Sequence, residues 1–205
     1  FISDVEFEGD DAQSGSEGSI TIPADTTAIV VGAALELGSG GDPHFTALNW
    51  DNSGLDFTLA VKENGDVYGS SGTVLYVLTS DDTGWPGTGS SKTLYWTQSD
   101  NIGQTPQIWV GFFKGVDTED PIGATTWPEG SDDDNTNVSH TSSLGTVDAD
   151  DMSIMASYYW GSPPTNAGGD QTLFANISGD YESLFVVGEL GESSLNVTGL
   201  DYPVS

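Results

Sequence analysis

Oxygen ligands are the chemistry this chain holds in quantity. Thirty-two Asp and Glu stand against three Lys (Lys62, Lys92, Lys114) and no Arg. Clustered carboxylates are the donors a Ca²⁺ ion needs, six to eight oxygens at a time. Candidate clusters are Asp132-Asp133-Asp134, Asp148-Ala149-Asp150-Asp151 and Asp81-Asp82. None has the spaced acidic loop with a central Gly that marks a strong calcium motif, so each also reads as a solvated charged loop.

Carboxylate pairs are equally the machinery of glycoside hydrolysis. With 32 acids any two make a pair, so spacing alone selects none. Only Glu36 and Glu189 lie inside apolar strand-like segments, and both read as outward-facing strand residues. His44 and His140 are too few and too scattered for a histidine metal site or a base–nucleophile dyad. There is no Cys for thiolate chemistry and no nucleophile elbow. The residues therefore predict no catalytic centre, with a glycosidase as the weakest of three readings.

The aromatic residues offer a different chemistry. Trp85, Trp127 and Trp160 each sit beside Pro or Gly, whereas Trp50, Trp96 and Trp109 fall within strand-like runs. Exposed rings stack on sugars, which makes Trp85, Trp127, Tyr158, Tyr159 and Trp160 a candidate carbohydrate or subunit contact surface. Core packing is the competing reading, because large rings mostly supply buried area. Asn137, Asn176 and Asn196 each open an N-x-S/T sequon, an acceptor for glycosylation where the Asn faces solvent.

The net charge of −29 and pI near 4.1 exclude some partners. A nucleic-acid groove needs Lys and Arg to neutralise phosphate, and three scattered Lys do not form one. An acidic surface also repels anionic lipid, and no stretch approaches the apolar length of a membrane span, so no membrane insertion is expected. Hydrophobic residues at 36% and aromatics at 10% supply a core, so the charge does not signal disorder. Residues 1–20 lack an apolar signal region, yet the chain begins at Phe1. That predicts a processed protein of an extracellular or virion-surface location, in saline (halophilic or marine) surroundings where acidic side chains keep their hydration.

These residues must be positioned by strands, since helical periodicity is nearly absent. Predicted strands are Ser19–Ile22, Ala28–Leu37, Phe45–Trp50, Phe57–Val61, Thr73–Leu78, Thr93–Thr97 and Ile108–Phe113. Met152–Trp160, Leu173–Asn176, Ser183–Leu190 and Leu195–Leu200 complete the set. Glu63-Asn64-Gly65-Asp66 predicts a tight hairpin turn, and 82–87 a longer loop. Continuous apolar runs at Ala28–Leu35 and Leu184–Val187 predict central strands buried on both faces. The pattern predicts an all-β fold: a single antiparallel β-sandwich of about ten or more strands, made of two packed sheets.

Ser19-Ile20-Thr21-Ile22-Pro23-Ala24 before Ala28-Ile29-Val30-Val31-Gly32 resembles the opening of lectin-like, jelly-roll sandwich domains of phage structural and bacterial secreted surface proteins. Leu75–Leu78, Trp85-Pro86-Gly87 and Thr93–Thr97 are similar to their middle, and Phe113-Lys114-Gly115-Val116-Asp117 with Pro121-Ile122 to a further motif. The resemblance covers most of 19–190. It implies a non-enzymatic structural protein, a subunit of a virion surface, tail or extracellular filament that partners with itself. The alternative is a secreted carbohydrate-binding module with glycans as partners and Ca²⁺ supporting the fold. Jelly-roll modules often hold calcium between first and last strands, which by resemblance marks Glu6, Glu8 and Asp201, besides Asp132, Asp133 and Asp134. Residues 1–18 fall outside the resemblance and are expected to be an extension or edge strand, with 19–205 as the domain. The apolar alternation of Phe1, Ile2, Val5 and Phe7 predicts a strand that adds to a neighbour's sheet edge.

Overall fold

The computed structural model describes residues 1–9, 13–36, 42–51, 54–64, 71–99, 105–123, 125, 137–143, 147–160, 166–167, 171–178, 182–192 and 194–200. Among them the chain is all-β. The first strands are β1 (Ser3–Glu8), β2 (Ser14–Thr21), β3 (Ala28–Glu36), β4 (Phe45–Asn49) and β5 (Thr58–Asn64). Next come β6 (Ser71–Thr79), β7 (Ser91–Gln98), β8 (Gln107–Phe113), β9 (Asn137–Ser143) and β10 (Met152–Trp160). The last are β11 (Asn166–Ala167), β12 (Thr172–Ser178), β13 (Glu182–Leu190) and β14 (Ser194–Leu200). No helix among the described residues is long and apolar enough to cross a membrane.

The strands form four antiparallel sheets, ordered β2-β7-β4, β1-β8-β3-β6-β5, β10-β13-β12 and β11-β14-β9. The expected antiparallel sandwich is present, but it is built from more layers than two. The reason lies in β3 and β8. Side chains alternate between faces along a strand, and in β3 both sets are apolar. Ile29, Val31, Ala33 and Leu35 enter a first core with Phe45, Leu48, Leu94 and Trp96 of the β2-β7-β4 sheet. Ala28, Val30 and Ala34 enter a second core with Ala156, Phe174, Leu184 and Val186 of the β10-β13-β12 sheet. A sheet apolar on both faces needs a cover on both. A small third core joins Met155, Phe185 and Val187 to Leu195 of β14.

Aromatic rings fasten the second interface. Trp109 and Phe174 stack with centroids 5.6 Å apart at 13°, and Phe113 meets Phe174 edge-on at 6.2 Å. Such pairs add about 0.5–1.5 kcal/mol beyond their burial. The predicted core strands Ala28–Leu35 and Leu184–Val187 are buried throughout.

The N-terminal segment supplies the edge strand of the central sheet, one of the two forms expected of it. β1 runs against β8 of its own chain, from Ser3↔Phe112 to Glu8↔Gln107. Ile2, Val5 and Phe7 pack on the first core, and Phe1 stacks on Phe174 at 4.6 Å. Ser3–Glu8 and residues 14–18 thus lie in two different sheets, with β2 beginning at Ser14. Of the predicted tight turn at 63–66, Glu63 and Asn64 still belong to β5, paired with Thr73 and Gly72, and Gly65 and Asp66 lie outside the described residues.

Candidate interaction site

Five strands lie under three. Within the second interface β12 meets β1 and β8, β13 meets β8 and β3, and β10 meets β3 and β6. The fifth strand, β5, extends past that cover. Beside it the second core opens into a cleft of about 620 Å³. The half-buried apolar residues of this core, Ala60, Val61, Val116, Ile122, Met152 and Ile154, all line it. Its floor is Val30, Leu75 and Val77, and its mouth carries the exposed carboxylates of Asp117, Asp120, Asp150 and Asp151 with Lys114 among them. Apolar walls with charges confined to the mouth are the make-up of a contact site, in the size range that encloses a ligand.

A second polar group sits at the opposite edge of the central sheet. Asp4 and Glu6 alternate with Val5, so both face β12 rather than the first core. Asp4 Oδ2 accepts the indole N–H of buried Trp109 at 3.0 Å. Partial desolvation, helped by the nearby charge of Asp4, raises the Glu6 carboxyl above its usual range, and the backbone N–H of Asn176 partly offsets this.

The sequence-predicted residues are scattered. Trp85 is half-buried against the first core. Tyr158, Tyr159 and Trp160 end β10, paired with Leu184, Ser183 and Glu182. Glu6 and Glu8 lie on β1, whereas Asp201, Asp132, Asp133, Asp134 and Trp127 lie outside the described residues. No group of three or more metal-ligating side chains occurs among the described residues. The other acidic runs are engaged in turns and, at Asp81, in a contact between loops. Asp82 Oδ2 accepts the Thr79 N–H at 2.7 Å and its hydroxyl at 2.9 Å, and Asp81 accepts the Thr118 hydroxyl at 2.6 Å. Asp151 Oδ2 accepts the Asp148 N–H at 3.1 Å. Of the sequons, Asn176 is exposed on β12, while Asn137 and Asn196 begin β9 and lie within β14.

The cleft is a site that sequence reasoning missed. Its residues read as ordinary strand interior, and only the strand order shows that, among the described residues, no strand of the three-stranded sheet covers β5. Comparison of the chain with protein-family models finds none that matches, and comparison with curated proteins finds no match either.

Proposed function

We propose that this chain is a non-enzymatic structural subunit of an extracellular or virion-surface assembly, suited to saline surroundings. The observation that carries the reading is the apolar seam between β5 and β10, where half-buried residues of the second core line an open cleft. Contiguous apolar surface rimmed by polar groups marks a protein contact. The outer edges of the central sheet are guarded against casual strand pairing. On β1 the guards are Asp4, Glu6 and Glu8; on β5 they are a bulge between Leu59 and Val61 and the Lys62–Asp42 ion pair. Contact through a seam, with salt screening the acidic faces, fits that distribution better than open-ended pairing of the central sheet.

The test is sedimentation velocity and negative-stain microscopy of the purified chain, from dilute buffer to about 1 M NaCl, where screening shortens to about 3 Å. Ordered oligomers or filaments that grow with salt are expected. Monomer at every salt and protein concentration overturns the reading.

A further inference from the structure

The cleft wall along β10 includes main chain as well as side chain. Every residue from Met152 to Ala156 lines the cleft. Yet Met155 is buried in the third core, and Ser153, also buried, donates its hydroxyl to the Glu192 carbonyl. What these two present to the cleft is backbone. Among the described residues β10 pairs with β13 alone, which leaves its cleft-side edge without a strand partner. An antiparallel edge carries a row of N–H and C=O groups that template another strand. Directly beside that edge lie the apolar floor at Leu75 and Val77 and the half-buried Val61 next to it. Three strands over five leave the width of one more.

We propose that the cleft receives an extended segment of a partner protein, which adds to β10 as a fourth strand. Alternate apolar side chains of the segment rest on Val61 and Val77, and Lys or Arg flank it where it leaves the mouth. This mode takes affinity from main-chain hydrogen bonds and specificity from every second side chain. Charge selects the partner. Asp117, Asp120, Asp150 and Asp151 outnumber Lys114 at the mouth, and a second copy of this chain carries −29 with only three Lys. A basic segment meets this rim with attraction, and an acidic one with repulsion. The inference rests on reading the seam as a contact surface. In dilute buffer the rim selects a basic segment, and a second copy competes for it only where salt screens the like charges. A chain that never self-assembles still binds such a segment, so the two fail separately.

The experiment titrates the full chain with the capped synthetic peptide Lys-Val-Thr-Val-Thr-Val-Lys, read by calorimetry and by amide hydrogen exchange. Binding is expected, with slowed exchange along β10. A peptide with Glu at both ends binds about tenfold more weakly at low salt. Methylating alternate peptide amides abolishes binding. Val61→Asp places a charge on the half-buried apolar wall beside the floor and also abolishes it. The surface pair Asp117→Asn and Asp120→Asn leaves folding intact and narrows the preference for basic ends. No binding up to about 1 mM, protection elsewhere than β10, or full binding by the methylated peptide each overturns the proposal. Dodecyltrimethylammonium bound in the cleft in place of the peptide assigns the site to a small amphiphile and overturns it as well.

Discussion

The Tyr76 hydroxyl accepts the Phe45 amide N–H at 3.0 Å and donates to the Phe45 carbonyl at 3.3 Å, joining the central sheet to the β2-β7-β4 sheet. The pairing of β4 with β7 is irregular between Phe45 and Ala47, where a bulge breaks the ladder. Phe45 is fully buried, so main-chain groups released there need partners away from water. One phenol supplies both. Burial raises the Tyr76 hydroxyl above its usual value, so it keeps the proton it donates. Tyr76→Phe is expected to keep the fold and lose about 2–4 kcal/mol, because two buried backbone groups are left unpaired. Urea unfolding checks this, and a loss below about 0.5 kcal/mol would be too small for that role.

Much of this architecture was legible in the residues. Apolar β-branched runs bounded by Gly, Pro and Asp placed the eleven predicted strands, because burial and turn chemistry are written locally. β9 and β11 escaped because Asn137–Ser143 and Asn166–Ala167 hold polar residues that look like loop. The number of layers escaped for another reason. That Ala28–Leu35 is apolar on both faces was plain, but whether its second face meets a helix, another sheet or a neighbour depends on strand order. The seam beside β5 follows from the same order. Trp109 carried no sign that its indole N–H would find Asp4, 105 positions away.

That bond gives the second prediction. Trp109 is fully buried, so Asp4→Ala removes the acceptor of a donor that water does not reach. The expected loss is about 1–2 kcal/mol, with Asp4→Asn recovering part of it through the amide oxygen. Chemical denaturation of the two variants checks the order. Equal losses would show that packing, and not the acceptor, is at work.

Glu6 supplies a pH dependence with a definite sign. Its folded carboxyl is raised by desolvation first and by the Asp4 charge second, from a reference value of 4.5. A raised acid binds more protons folded than unfolded across the window above that reference. Stability from this group therefore falls as pH rises through the window and returns as pH is lowered. Glu6→Gln should flatten that slope and raise the neutral-pH melting temperature slightly. Solvent exposure of Glu6 holds the effect to about a few tenths of a kcal/mol. Melting curves of wild type and variant between pH 4 and 7 decide it, and a larger slope in the variant would reverse the assignment.

Two loop glycines separate strain from crowding. Gly84 has φ +94°, and a Cβ there would lie 2.5 Å from Cγ of Asp56; Gly87 has φ +75° with open space around it. Gly87→Ala bears only the backbone cost, about 1–2 kcal/mol. Gly84→Ala bears that and also displaces Asp56, whose carboxyl is already raised by desolvation and by the Asp51 charge. Gly84→Ala should be the more damaging by about 1 kcal/mol or more in equilibrium unfolding. Equal costs would mean that the Asp56 side chain yields freely.

The charge itself makes the last prediction. Thirty-two carboxylates on one chain repel one another, and that repulsion is carried by exposed groups that salt screens. Raising NaCl to about 1 M should stabilise the fold by about 1–3 kcal/mol, several degrees in melting temperature for a chain of this size. Calcium separates screening from coordination. Asp82 and Asp151 already accept hydrogen bonds within turns and Asp81 one from Thr118 of another loop, which argues that these runs are structural more than ion cages. At matched ionic strength CaCl₂ and NaCl should then give the same melting temperature. An excess with Ca²⁺ at low concentration would mean a bound ion, and a melting temperature flat in both salts would break the link between acidity and a saline setting.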